Sequence, residues 1–289
     1  MKLSNVRLSL HDWASLQSEL IWAYDHRPAS SSRQMHSDHT RRNWAWFIRT
    51  GSVLISGKSG EYKADAGEWL LLPAECHKQN FSSDASLISL KFSCQWPTGE
   101  NIVASPQALI IKDCEQPRMK EIASSLAQMF KESFPNQKHK EYARQSVDYR
   151  QFTQLQRVFQ DWLQVWLTAR LSNGDQIARQ PGDTRILSAL RTLNDAPLNA
   201  GFPKASLSTL GIGMAQLNRL FKHEMKMSLQ QHWERRRIEF ARSRLADSEQ
   251  TQKSIAYSLG FSDAAHFNTW FKRHTGIPPG RYRTGYAAI

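Results

Sequence analysis

Disulfide chemistry has little material here. Three cysteines in 289 residues, Cys76, Cys94 and Cys114, lie far apart with no CxxC pair, so neither a disulfide scaffold nor a zinc site is expected, and reduced thiols fit best. Long apolar runs are also missing. The longest strongly apolar stretch lies around Trp69–Leu72, far short of the ~20 residues that span a bilayer. The opening MKLSNVRLSLHDW holds no continuous apolar segment, so no secretory leader is expected and the cytoplasm is the expected location. Acidic residues are the third shortage. Only 26 Asp+Glu stand against 38 Lys+Arg, a formal net charge of +12, and the excess points to an anionic partner.

That charge is unevenly spread. Residues 184–289 hold 16 Lys+Arg against 7 Asp+Glu, so +9 of the +12 lies in the last third, the electrostatic footprint of a polyanion binder. Within it, KSIAYSLGFSDAAHFNTWFKRHTGIPPGRYR (253–283) reads as helix, glycine turn, helix. Ile255, Ala256 and Leu259 form one apolar stripe, and Gly260 ends the helix. Ser262 stands at the expected N-cap with Asp263 beside the positive helix end. Phe267, Trp270, Phe271 and His274 share one face of the second helix, leaving Ala265, His266, Asn268, Thr269 and Lys272 on the other. Fifty residues upstream the pattern recurs. Leu207–Leu210 is a short apolar segment, Gly211 the turn and Gly213 the cap, with Leu217, Leu220 and Phe221 inward and Ala215, Asn218, Arg219 and Lys222 outward. LNRLFKHEMKMS answers FNTWFKRHTGIP. Two copies of this grammar in a basic domain describe a pair of helix-turn-helix units.

The signature IA...LGF.D..HF..WFK..TG.PP..YR, the upstream LNRLFK and the intervening RIEFARSRL (237–245) resemble the DNA-binding domain of the AraC/XylS family of bacterial transcription regulators. The resemblance covers residues 184–289, about a third of the chain. It implies seven helices, two of which enter successive major grooves, with RNA polymerase as a further partner. The connecting helix, Leu229–Ala246, would be ~27 Å long, suited to spacing two reading helices ~34 Å apart. One departure stands out. The family places Leu-Ala five and four residues before the upstream turn glycine, whereas here Leu207-Ser208 sits one residue short, and Gly213 replaces the usual Ser or Thr cap.

Arg219 is the foremost reading candidate, because its planar fork pairs with guanine O6 and N7, or else clamps a phosphate. Asn218 has the chemistry to read adenine, and Gln216 to contact base or phosphate. The downstream unit is plainer. Thr269 stands where many relatives carry arginine, Ala264 and Ala265 offer only methyls for thymine, and His266 either donates to a base or packs on the backbone. Ser262, Asn268 and Lys272 complete the expected DNA-facing set.

At 289 residues two domains are expected. Residues 1–171 read as one, 172–183 as a polar linker and 184–289 as the other. Overall the class is α+β: a cupin-like barrel or jelly roll with flanking helices, then an all-α domain. Trp44, Trp46 and Ile48 alternate with Asn43, Ala45 and Arg49 around Phe47, and Ile88, Leu90 and Phe92 alternate again, as in short antiparallel strands. The segment GEWLLLPAECHKQNF resembles the cupin-like effector domain of many AraC-family members. Cupin enzymes hold metal through an HxH pair, a Glu and a later His; here His36 and His39 are three apart and cannot share a strand face, so no metal or other cofactor is expected. Trp44, Trp46 and His77 are candidates to line a small-molecule pocket, with plain barrel core as the other reading.

Residues 118–171 turn helical. Phe152, Leu155, Phe159, Trp162 and Trp166, extended by Ala169, recur at a/d spacing, a stripe that packs on its own barrel or pairs with a second subunit in a homodimer. The reading that results is a ligand-responsive, sequence-specific DNA-binding regulator, more an activator than a repressor, and not an enzyme. The alternatives are a cupin-type metalloenzyme fused to a DNA-binding domain, or a regulator controlled by a protein partner.

Overall fold

The computed structural model describes residues 7–37, 42–57, 60–72, 77–104, 107–134, 146–178, 183–246 and 250–287. The chain divides into two compact units, residues 1–179 and 180–289. The first opens with a short helix α1 (Leu10–Ala14) and continues through nine described strands: β1 (Gln17–His26), β2 (Gln34–Ser37), β3 (Asn43–Thr50), β4 (Ser52–Gly57), β5 (Gly60–Asp65), β6 (Glu68–Leu72), β7 (His77–Phe81), β8 (Ser86–Gln95) and β9 (Leu109–Lys112). All the ladders are antiparallel. They form a five-stranded sheet, β1-β8-β3-β6-β9, and a four-stranded sheet, β2-β7-β4-β5. Gly51 makes the sharp β3–β4 corner at φ 70°, and a Cβ there would collide with Ser82 Oγ and fall 2.9 Å from the Ala85 backbone, so no larger residue fits.

The five-stranded sheet is covered on both faces, and this changes the meaning of its alternation. Along β3, Trp44, Trp46 and Ile48 join Val53, Ile55, Leu70 and Phe81 in a core between the sheets. Ala45 and Phe47 join Trp69, Leu90 and Phe92 in a second core under the helices. Asn43 and Ala45, of the phase alternating with the tryptophans, are therefore buried as well. The period of two separates two cores rather than core from solvent.

Helices α2 (Pro117–Ser133) and α3 (Tyr149–Ser172) supply the second cover. Asp148 starts α3 with a reciprocal capping box to Gln151. Phe159, Trp162, Trp166 and Ala169 are fully buried in their own unit, with Phe92 6.1, 6.0 and 5.0 Å from the three aromatic rings in turn. This corrects the subunit-pairing alternative for Phe159, Trp162 and Trp166: rings consumed in their own core have no surface left to offer a second copy. Leu155 is partly buried on the same core, while Phe152 stays 49 % exposed. The linker expectation also shifts. Ile177 bridges Val103, Ala178 donates to Ile102 O at 2.8 Å and accepts from Trp96 Nε1 at 2.8 Å, so residues 176–178 belong to the first unit.

Seven helices are described in the second unit: α4 (Thr184–Asp195), α5 (Lys204–Ser208), α6 (Met214–Met225), α7 (Leu229–Ala246), α8 (Gln252–Ser258), α9 (Ala264–Thr275) and α10 (Pro279–Ala287). They enclose two cores. Ile186, Leu190, Leu207, Leu217, Phe221 and Trp233 lead the first, and Ala241, Leu245, Ile255, Phe267, Phe271 and Tyr282 the second. The start of α7 serves one and its end the other, which is why this helix shows no single apolar stripe. Among the described residues no helix is long and apolar enough to cross a membrane.

Candidate nucleic-acid interface

Each of α6 and α9 is the second helix of a helix-turn-helix, and both are seated the same way. Leu217, Phe221 and Met225 bury one face of α6, and Phe267, Trp270 and Phe271 one face of α9. On the opposite faces, Ala215, Gln216, Arg219 and Lys222 are exposed, as are Ala265, His266, Thr269 and Lys272. Ala264 is half-buried at the start of α9. The inward stripe of α9 ends at Phe271, because His274 is exposed and its Nδ1 lies 2.8 Å from Trp270 O.

The caps differ between the copies. Gly213 caps α6 with no side-chain bond. In α9 the cap is Asp263, not Ser262: its carboxylate accepts the His266 amide at 2.8 Å, and the exposed Ser262 hydroxyl donates to Asp263 at 3.3 Å. That amide bond is the main cause holding the Asp263 carboxyl below its ordinary range. The departure noted in the upstream unit has a structural form. Helix α5 has five residues where α8 has seven, and the cap follows the turn glycine by two positions (Gly211 to Gly213) rather than three (Gly260 to Asp263).

Asn218 and Asn268 occupy equivalent places but not equivalent bonds. Asn218 is half-buried, and its Oδ1 accepts the backbone N–H of Leu229 at 3.1 Å, so it holds the start of α7. One lone pair of its amide oxygen is used in this bond, and the second lone pair and the amide N–H groups are not engaged by it. Eleven residues after Asn268 stands Pro279, which has no N–H to give, and the buried Asn268 Oδ1 has no hydrogen-bond partner. Thr269 is plain as expected, its hydroxyl bonded back to Ala265 O at 3.1 Å. His266 Nδ1 sits 3.5 Å from Asp263.

Lys226, which the sequence reading passed over, is the one described non-glycine residue with positive φ, 55°. It follows α6 where Gly276 (φ 80°) follows α9, and its Nζ caps His223 O at 2.7 Å. The signal was present in the repeat itself, as a lysine aligned with a glycine. The basic residues also divide. Arg236 donates to Leu193 O and Ala196 O at 2.8 and 2.6 Å, closing the end of α4. Arg237 donates to Leu259 O at 3.0 Å and to Glu234 at 3.2 Å, under the rings of Phe261 and Trp270, and Glu234 accepts Trp270 Nε1 at 2.9 Å. Arg283 binds Gln250 O. These three hold the unit together, whereas Arg219, Lys222, Lys226, Lys272 and Arg273 remain exposed.

In the first unit the structure brings together Trp44, Trp46 and His77. The three are 7 %, 2 % and 2 % exposed, with ring centroids 5.6 Å apart for the tryptophans and 6.1 and 5.9 Å from His77. His39 and Cys76 lie outside the described residues, as does the side chain of His36. Among the described residues no three His, Cys, Asp or Glu side chains are grouped to hold a metal ion. Cys94 is buried, which pushes its thiol up to about 12, an inert structural sulfur. Arg170 was not anticipated either. Fully buried on α3, it donates to Leu71 O at 2.8 Å, Gln107 O at 3.0 Å and Asp175 at 3.2 Å.

The fold therefore defines a two-sheet β unit joined to a helical unit with two helix-turn-helix elements. A family described as a helix-turn-helix domain matches residues 207–285, within the C-terminal unit. The arabinose operon regulatory protein of Escherichia coli K12 is 25 % identical over 124 residues, 43 % of this chain and 42 % of that protein. The transcriptional activator RhaS of Escherichia fergusonii is 30 % identical over 103 residues, 36 % of this chain and 37 % of that one. The matched region thus spans about two fifths of these relatives. The crystal structure of an apo ToxT variant from Vibrio cholerae shares the fold at TM-score 0.50 and 14 % identity, covering 94 % of this chain and 98 % of that one.

Proposed function

We propose that the chain is a sequence-specific DNA-binding transcription regulator, an activator acting in the cytoplasm, whose first unit senses a small molecule. The observation that carries the DNA-binding part is the repetition. Two equivalent helices, each buried on one side and sharing two matched buried positions (Leu217 with Phe267, Phe221 with Phe271), present polar and cationic faces on one domain. Arg219 is the base reader, with Gln216, Lys222, Lys272 and Lys226 as phosphate or base contacts. Ala215, Ala264 and Ala265 touch thymine methyls, and Ser262, His266, Asn268 and Thr269 complete the second face. The relatives named above are an operon regulatory protein and a transcriptional activator, which supports activation; RNA polymerase is the partner the reading adds. The homodimer forms through the start of α3, where Tyr149 is 82 % and Phe152 49 % exposed.

Selection of bound duplexes from a random pool by the full chain tests this reading. The expected product is a bipartite site with two sub-sites about 10 base pairs apart. Recovery of unrelated sequences in proportion to the pool would overturn it.

A further inference from the structure

Helices α6 and α9 correspond position by position, fifty residues apart. Leu217 matches Phe267 and Phe221 matches Phe271, all four fully buried. Ala215 matches Ala265 and Lys222 matches Lys272, all four exposed. Inside this shared frame one outward position differs sharply in chemistry: Arg219 in α6 and Thr269 in α9, both exposed. Each sits two residues after one buried anchor and two before the next, so helical geometry turns both the same way.

The two side chains offer different things to a major groove. Arg219 carries a planar fork of donors, suited to the acceptor edge of guanine. Thr269 has one hydroxyl proton, and that proton goes to Ala265 O at 3.1 Å, so no donor is left for a base. The same bond fixes the side chain. Threonine in a helix is stiff at χ1, and with Oγ1 held over the preceding turn its γ-methyl is the uncommitted group. One turn back on that face stands Ala265, exposed, whose whole side chain is a methyl; residues four apart in a helix are neighbours at about 5–6 Å. Polar groups of the first turn are directed at the cap. The Ser262 hydroxyl donates to Asp263 at 3.3 Å, and His266 Nδ1 lies 3.5 Å from the same carboxylate.

We propose that Thr269, with Ala265, makes α9 a reader of thymine through the 5-methyl group of that base, at the position where Arg219 makes α6 a reader of guanine. This rests on the reading of α6 and α9 as the DNA-contacting helices, and names the base the second one selects. A methyl contact only removes apolar surface from water, whereas a bidentate pair leaves a wrong base facing unpaired polar groups. Discrimination is therefore weaker in the α9 sub-site than in the α6 sub-site.

Selection of duplexes by the full chain, then gel-shift titration of the selected duplex, tests it. The probe carries deoxyuridine for thymidine, one position at a time, which removes the 5-methyl and leaves the hydrogen-bonding edges unchanged. At one position of the α9 sub-site the unaltered chain should prefer thymine and bind the deoxyuridine form about fourfold more weakly, the worth of one methyl group taken out of water. Thr269→Val keeps a methyl without the hydroxyl, so the preference should stay. Thr269→Ser keeps the hydroxyl without the methyl, so it should fall. Thr269→Arg should move the preference at that position from thymine to guanine, which also marks the sub-site as that of α9. Thr269 is exposed, so none of the three disturbs a core. Equal binding of thymidine and deoxyuridine forms at every position would overturn the methyl reading and leave DNA binding by two helices standing. So would a preference that survives in Thr269→Ser, vanishes in Thr269→Val or fails to move in Thr269→Arg. Recovery of no bipartite site would remove the DNA-reading proposal together with this one.

Discussion

At the scale of single residues, the two copies of the helix-turn-helix act as each other's control. Asn218 and Asn268 are the same residue in the same place, but one meets the Leu229 N–H and the other leaves a buried Oδ1 with no hydrogen-bond partner. Asn218→Ala should lower stability by about 1 kcal/mol through loss of the bond that holds α7. Asn268→Leu should be neutral or stabilising, because it removes a buried oxygen without a donor. Chemical denaturation of the two variants reads both, and equal destabilisation would contradict the assignment. The outward sets were legible in the sequence because helical period alone divides a buried from an exposed face. Asn218 was not, because its partner lies in the next helix, and a capping bond leaves no mark in periodicity. Lys226 was legible only by alignment of the repeats, where a lysine replaces the glycine that a left-handed backbone favours.

Among the elements, α3 shows what a stripe can and cannot tell. Its a/d spacing states that a face is buried, and the length of the buried run shows against what. From Phe159 to Ala169 the stripe lies on the β-sheet, and only its start at Tyr149 and Phe152 is open. Trp162→Ala should therefore cost about 3–5 kcal/mol in a concentration-independent way, whereas Phe152→Ser should leave stability nearly unchanged and weaken self-association. Sedimentation equilibrium with thermal unfolding separates the two, and a dimer lost on Trp162→Ala with the monomer fold intact would reverse the assignment. Strand existence in 43–48 and 86–95 was likewise readable, but not that both faces are covered. Alternation of Trp with Asn and Ala gives the period, and only the sheet's place between the four-stranded sheet and the helices turns both phases into core.

Over the whole molecule, the claim that matters is that DNA sequence is read by side chains on two helices fixed in one body. Helix α7 binds the end of α4 through Arg236 and the turn of the second unit through Arg237. Gly260 packs so closely that a Cβ would meet Asn199 O at 2.5 Å. Gly260→Ala should thus loosen one helix-turn-helix from the other, reducing affinity for the joined site more than for either sub-site alone, as gel-shift titration would show. The two-domain α+β division and the basic C-terminal third were plain from composition and repeats; the use of Arg236, Arg237 and Arg283 as internal ties was not, since charge counting treats every arginine as available. The most direct measurement is the affinity of the full chain and of Arg219→Ala for a selected duplex and all its single-base variants, at fixed salt. Direct reading predicts a loss of ~1–3 kcal/mol on the selected site and flattened discrimination at one base position. A uniform loss across every variant, with the preference at each position unchanged, would contradict it and make Arg219 a phosphate clamp.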